Sequence, residues 1–313
     1  MTTTTKEVFE KYEIRKTKKQ RQAFRDYVQS VASKYGYKSS TEKVSFGGKN
    51  IIVGDVDKAE VLYTAHYDTC AKMIFPNFIT PNNIFIYLAY QIIILIGFTA
   101  VSIPCGLLLS SILIASGVES YIATDIGINF SFAVYWVLLF LLIAGPANKH
   151  TANDNTSGVT TLLDIMTALP QEKKDKVAFV FFDLEEVGLI GSFDFAAKHK
   201  DIKNNKLVIN FDCVSDGETI FFALKKSTKN YKALLEKSFV STKDVTVEIA
   251  EKGAFYPSDN ANFKGGIGVA ALKRSTFMNI LYMNRIHTKR DIVYRKENIE
   301  FLKNGAIRLL EIM

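Results

Sequence analysis

Cysteine is too scarce here for a disulfide frame. Cys70, Cys105 and Cys213 are odd in number, widely spaced and include no Cys-x-x-Cys pair. That excludes a secreted disulfide scaffold and a cysteine-built zinc module, and it fits a reducing compartment. No Gly-x-Ser-x-Gly elbow occurs, which argues against a serine nucleophile of the α/β-hydrolase kind. Internal repeats and low-complexity linkers are also missing. The first twenty residues are Thr-rich and then charged, without the apolar centre of a secretory signal, so no export is expected. A net charge of +7 arises from basic residues spread along the chain rather than packed into one arm. We read it as a solvated face, with attraction to anionic lipid second and no nucleic-acid partner.

Charge is wholly absent from two stretches, residues 73–118 and 126–148. A membrane span needs only about 20 apolar residues, and a buried core helix would normally keep a polar face, so both stretches are read as transmembrane. The first contains Pro104 and Gly106, where a helix can kink or turn back. Spans are expected from Ile84 to about Ser116 and from about Ile128 to Pro146, with a re-entrant piece after Pro104 as the alternative. Lys72 and Lys149 flank this hairpin while its connection carries only Glu119 and Asp125. The positive-inside rule then puts the rest of the chain on the cytoplasmic side of the inner membrane, as a multi-pass protein.

Outside the hairpin, Lys6 to Tyr35 reads as one amphipathic helix, and Val44 to Val53 as a β-hairpin turning at Gly47-Gly48. Short apolar runs at Val61–Ala65, Val177–Phe182, Leu207–Phe211, Thr219–Leu224, Val245–Ile249, Val269–Leu272 and Ile280–Met283 read as strands. Helical patterns at Thr156–Leu169, Leu189–Lys198, Tyr231–Val240 and Ile299–Ile312 are interspersed with them. That rhythm predicts an α/β fold, three layers in α/β/α order around a mixed, mostly parallel sheet. Residues 1–75 and 148–313 would form one catalytic domain, with 76–147 as the inserted two-helix transmembrane hairpin.

Acids and histidines gather where such sheets place function, beyond the carboxyl ends of strands. VLYTA is followed by His66-Tyr67-Asp68, VAFVFF by Asp183-Leu184-Glu185-Glu186, and LVINF by Asp212. A carboxylate beside a buried strand needs a metal, a cation or several hydrogen bonds. Asp154 stands in Thr151-Ala-Asn-Asp-Asn-Thr-Ser-Gly158, a segment whose Asn155 or Thr156 also suits a helix N-cap. His287 follows ILYM, with Asp291 shortly after; His150 and His199 lie in a polar loop and a Lys-rich helix end. Two imidazoles with several carboxylates are what two zinc-like ions require. Of the adjacent Glu185 and Glu186, one can bind metal while the other stays free as a base.

The ordered set AHYD, ANDNTSG, FFDLEEVGLIGS, INFD, PSDNANF and IHTKRD resembles the co-catalytic di-zinc aminopeptidases, the family of bacterial leucyl aminopeptidases and the catalytic domain of glutamate carboxypeptidase. The resemblance implies two divalent metal ions, zinc by the nature of the donors. His66 and Asp212 would complete one site, Glu186 and His287 the other, and Asp154 would bridge them. Asp68 would orient His66, and Glu185 would be the general base. The implied activity is removal of N-terminal residues from peptides with a free N-terminus, at a lipid bilayer. A glutaminyl-cyclase-like cyclisation on the same fold and an inactive membrane receptor or scaffold are the alternatives. Two departures stand out: Ser258-Asp259-Asn260 where the family often has Ser-Asp-His, and the apolar insertion between His66 and Asp154.

Overall fold

A computed structural model of the chain describes residues 1–251 and 254–313. It divides into two compact units, Met1–Ile84 with Ala147–Met313, and Phe85–Pro146.

The N-terminal segment corrects the sequence reading: Lys6 to Tyr35 is two helices, α1 (Thr3–Lys11) and α2 (Lys18–Lys34). The cause is local, since the Thr17 side chain accepts from the Gln20 amide while the Gln20 side chain accepts from the Thr17 amide. This reciprocal cap starts a new helix in its own direction. Between the two helices, Arg15 turns inward and is fully buried. Strands β1 (Ser39–Lys43) and β2 (Lys49–Val53) form the expected hairpin. Its first strand lies earlier and is polar, which an edge position tolerates.

The other strands are β3 (Val61–His66), β4 (Val177–Phe182), β5 (Leu207–Phe211), β6 (Thr219–Ala223), β7 (Thr246–Ala250), β8 (Gly266–Arg274) and β9 (Leu281–Tyr282). Their order is β1-β2-β4-β3-β5-β8-β6-β7, with β9 on β8. The central β4, β3, β5 and β8 run parallel, whereas β1 on β2, β2 on β4, β6 on β8 and β9 on β8 are antiparallel. The helices that follow α2 are α3 (Ile84–Ala115), α4 (Ser120–Ala144), α5 (Gly158–Ala168), α6 (Ile190–Lys198), α7 (Lys200–Asn205), α8 (Lys232–Ser238) and α9 (Lys296–Ile312).

Strand alternation distributes one apolar run between two cores. Val177, Phe179 and Phe181 join Tyr63, Phe24, Val28, Leu162 and Leu302 on the face covered by α2, α5 and α9. Ala178, Val180 and Phe182 join Leu62, Val208, Phe195 and Ile202 on the face covered by α6 and α7. Burial on both faces explains why these strands are continuously apolar, and each buried Phe or Val contributes about 1.5–3 kcal/mol. The register pairs His66 with Phe182 and Thr64 with Asn210. His66, the residue after β4 and the residue after β5 therefore emerge at one level of the sheet.

In the second unit α3 is continuous through Pro104, so the chain does not turn back there. Proline forfeits one backbone hydrogen bond, and turns on either side of it carry a helix of 32 residues. Helix α4 begins at Ser120, ahead of the expected Ile128, which places Asp125 inside the helix and Glu119 at its N-cap. Acidic groups near a helix N-terminus are electrostatically favoured. The two helices meet at glycines: a Cβ on Gly106 would lie 2.2 Å from the Gly127 carbonyl oxygen. Ser110 Oγ donates to the Ala123 carbonyl at 3.0 Å, a close small-residue packing of the kind found in membranes. Both helices are long and apolar enough to cross a bilayer, and only 17% and 6% of their most apolar windows are buried.

Candidate metal centre

His66 closes β3, and its Nε2 lies 3.3 Å from Asp154 Oδ1 and 3.3 Å from Asp212 Oδ1. The second oxygen of Asp154 lies 3.0 Å from His287 Nε2, which in turn is 3.4 Å from Glu186 Oε2. Asp154 thus offers one oxygen to each imidazole. Glu185 falls on the His66 side, where donor atoms of His66, Glu185 and Asp212 lie within 4.8 Å of one another. All five residues that the resemblance marks as ligands come together, with Glu185 beside them.

The loops holding these groups are tied by buried polar side chains. Asp68 accepts from the Glu185 amide at 3.0 Å and the Glu186 amide at 3.2 Å. Its carboxylate is 3.6 Å from His66 Nδ1, and its carbonyl oxygen is 3.2 Å from that nitrogen. Asp68 therefore fixes the backbone of both glutamates as well as facing the imidazole. Asp291 does the same for the Asp154 loop, accepting from the Asn153 amide at 2.8 Å and the Asp154 amide at 3.0 Å. Asn155 follows Asp154 through a cis peptide. Its Oδ1 accepts from the Gly158 and Cys213 amides, and its Nδ2 donates to the carbonyls of Phe211 and His66. The N-cap of α5 is Ser157 rather than Asn155 or Thr156, although Asn155 takes the Gly158 amide, and Asp154 faces the histidines. Leu184, Cys213 and His287 adopt left-handed backbone, φ 60°, 57° and 63°, each being or adjoining a candidate site residue. Such conformations cost about 1–3 kcal/mol and persist where surrounding contacts enforce them.

The electrostatics call for a cation. Burial, reinforced for Glu186 by Asp154 and for Glu185 by Asp212 and Asp259, pushes both glutamates well above the carboxylate range, although His66 pulls the other way. Burial disfavours a charged His66, yet Glu185, Asp154, Asp212 and Asp68 together raise it well above the usual imidazole value. Burial also opposes ionisation of Asp154, but the two histidines hold it below its ordinary value. Among the described residues, Glu186 Oε1 is buried without a hydrogen-bond partner, as is His287 Nδ1 on the ring edge opposite the nitrogen that faces Asp154. Edges of 3.3 and 3.4 Å fall within the range of about 3.3–3.6 Å expected for a tetrahedron with metal–ligand bonds near 2.0–2.2 Å, and the 3.0 Å edge between His287 and Asp154 is slightly shorter. The donor set of imidazole and carboxylate, the orphaned Glu186 oxygen and the spacing fit a divalent metal.

Asp183, which stands in the same motif as Glu185 and Glu186, serves the fold. Arg21 Nε lies 3.0 Å from its Oδ1 and the Lys49 amide donates to Oδ2 at 2.9 Å. The sequence reading gave no role to several residues the fold brings close. Arg15 donates to the Tyr67 carbonyl at 2.5 Å and to Thr156 Oγ1 at 3.2 Å, and burial lowers its guanidinium to about 10 despite Asp68. Asp259 is fully buried and is pushed up to about 7 by that burial, against His66. Cys70 lies within 4.8 Å of donor atoms of Asp154, Glu186 and His287. Of these, only the Ser-Asp-Asn motif carried a sequence signal.

The model of peptidase family M28 matches residues 139–308, more than half of the chain. That stretch contains Asp154, Glu185, Glu186, Asp212 and His287, while His66 and Asp68 precede it. No curated protein sequence matches. Among solved structures, the chain resembles the LapA aminopeptidase of Legionella pneumophila at 13% identity and a TM-score of 0.56, with 98% of this chain and 68% of that one covered. It resembles the glutaminyl cyclase of Porphyromonas gingivalis at 16% identity and 0.58, with 99% and 95% covered. A leucine aminopeptidase precursor from Bacteroides thetaiotaomicron is similar at 13% and 0.55, with 98% and 93% covered. At these identities the likeness is one of fold.

Proposed function

The chain belongs to peptidase family M28, and from that premise we propose that it is a membrane-anchored, metal-dependent aminopeptidase acting on peptides with a free N-terminus. The observation that carries the reading is the Asp154 carboxylate, whose two oxygens face two imidazoles at 3.3 and 3.0 Å with Glu186 and Asp212 completing the halves. His66 and Asp212 would hold one divalent ion, Glu186 and His287 a second, and Asp154 both. Bound there, the ions would supply positive charge to the scissile carbonyl and make a water acidic enough to attack it.

Glu185 is the proton carrier. Its raised affinity for a proton, caused first by burial, suits a base that accepts a proton from the attacking water and passes it to the leaving amine. Asp68 keeps that base in place through its grip on the Glu185 and Glu186 amides. The two largely exposed apolar helices support anchoring, since a core helix of that composition would be buried. Lys72 and Lys149 outside the hairpin, against Glu119 at its tip, support a catalytic unit on the cytoplasmic side.

The test is hydrolysis of aminoacyl and peptide substrates by the full chain in detergent with zinc supplied. Glu185→Gln should abolish turnover and leave bound zinc unchanged. A metal-loaded wild type that releases no amino acid from such a panel would sink the reading. Including a peptide that begins with Gln separates hydrolysis, which frees glutamine, from cyclisation, which loses ammonia.

A further inference from the structure

Cys70 sits in the loop that follows β3, and that loop is pinned beside the His287 segment. The Met73 amide donates to the His287 carbonyl at 2.7 Å, and the Asn148 amide donates to the Cys70 carbonyl at 3.1 Å. Asn148 Nδ2 continues to the Thr288 carbonyl at 3.1 Å. The thiol is fully buried and lies, with donor atoms of Asp154, Glu186 and His287, in one group whose members are within 4.8 Å of each other. Glu186 of that group carries an Oε1 that has no hydrogen-bond partner among the described residues, and its side chain is only 7% exposed. A purely apolar role for Cys70 would place a small hydrophobe against three polar side chains. Cys213 is near Asp154 and Asp212, but among the described residues no orphaned side-chain oxygen or nitrogen belongs to its group.

We propose that Cys70 is a sulfur donor to the ion held by Asp154, Glu186 and His287, which makes the two halves of the centre chemically unequal. The inference rests on the metal-dependent reading above. On binding, the S–H bond is replaced by a sulfur–metal bond and the proton leaves to solvent. A thiolate among imidazole and carboxylate ligands favours zinc, cobalt or cadmium over manganese or magnesium. The half that contains it should therefore discriminate among ions more sharply than the His66 half.

The probe is cobalt(II), titrated without oxygen into full-length, chelator-stripped protein in detergent. The wild type should show a sulfur-to-cobalt charge-transfer absorption in the near ultraviolet beside the weaker visible bands of the ion. Cys70→Ser and Cys70→Ala should lose the ultraviolet absorption and keep the visible bands, and Cys213→Ser should keep both. Cadmium affinity should fall about tenfold or more in Cys70→Ser, the scale of losing a supporting ligand, while manganese affinity holds. A wild-type complex with visible cobalt bands but no sulfur absorption overturns the proposal and leaves the metal reading intact, with no need for any variant to fold. Absorption that survives in both Cys70 variants and vanishes in Cys213→Ser overturns it as well. If elemental analysis finds no bound cobalt, the metal reading itself fails, and this inference with it.

Discussion

Replacing Asp291 by Ala removes the acceptor for two buried amides, Asn153 at 2.8 Å and Asp154 at 3.0 Å. A buried donor left unsatisfied costs about 1–3 kcal/mol, so the pair should cost about 2–6 kcal/mol. Asn at the same place keeps one acceptor oxygen and should cost about half as much. Burial, with Asp154 adding to it, pushes the Asp291 carboxyl up to about 8. At neutral pH the Asn variant therefore removes little charge from metal-free protein and reports the missing acceptor. The second consequence is at the centre, since Asp154 is the carboxylate facing both imidazoles. Losing a group that orients a ligand weakens metal binding by about 10- to 100-fold. Denaturant unfolding of chelator-stripped protein in detergent, read at constant slope, should give midpoints falling from wild type through Asp291→Asn to Asp291→Ala. Zinc competition against a chelator should give the same order. Wild-type midpoints and wild-type zinc affinity in Asp291→Ala would refute the reasoning.

Arg21→Met should destabilise the fold by about 3–5 kcal/mol, because Asp183 is fully buried and Arg21 is its nearest cation at 3.0 Å. Burial and then Asp68 already raise the Asp183 carboxyl while Arg21 lowers it, so the variant raises it further. A native state that holds the proton more tightly loses stability as pH rises, so the penalty measured by unfolding should be largest at neutral pH and shrink as pH falls through the raised range of the Asp183 carboxyl, above the usual carboxylate value. In the hairpin, Gly106→Leu brings a Cβ to 1.9 Å from Ser131 Oγ and must part the helices. A disulfide engineered between cysteines flanking this contact should form in the parent hairpin and fail in the variant. Burial raises the proton affinity of both Glu185 and Glu186, and a bound cation should lower it again. Calorimetry in buffers of different ionisation enthalpy should show proton release on zinc binding, with affinity falling as pH is lowered.

The chemistry-bearing residues were legible because each sits at a place the local pattern exposes. His66, Glu185, Glu186 and Asp212 follow strands whose continuous apolar character is visible without a structure, and the two uncharged runs declare their helices by length alone. Less legible was the break between α1 and α2, since the Thr17–Gln20 cap is a weak signal inside a charged stretch. The structural role of Asp183 was not visible in its motif, because the two arginines of α2 that pair with it are far away in sequence. The course of α3 through Pro104 was open for a similar reason, as helix continuity there depends on the whole span.

Local sequence determined the strands, the helices and which side chains stand at their ends, since apolar periodicity and turn residues act over a few positions. Tertiary structure alone decided which of those ends converge. Asp154 comes to lie between two imidazoles whose strands are separated by more than two hundred residues, and Asp291, Asn155 and Asp68 tie the loops together through two or more side-chain hydrogen bonds each. Cys70 is the plainest case: it follows His66 and Asp68 closely in the chain, yet its neighbours Glu186 and His287 are supplied by parallel strand order and by the loop that returns from β9. Contacts of that kind depend on distance in space, which a linear pattern does not encode.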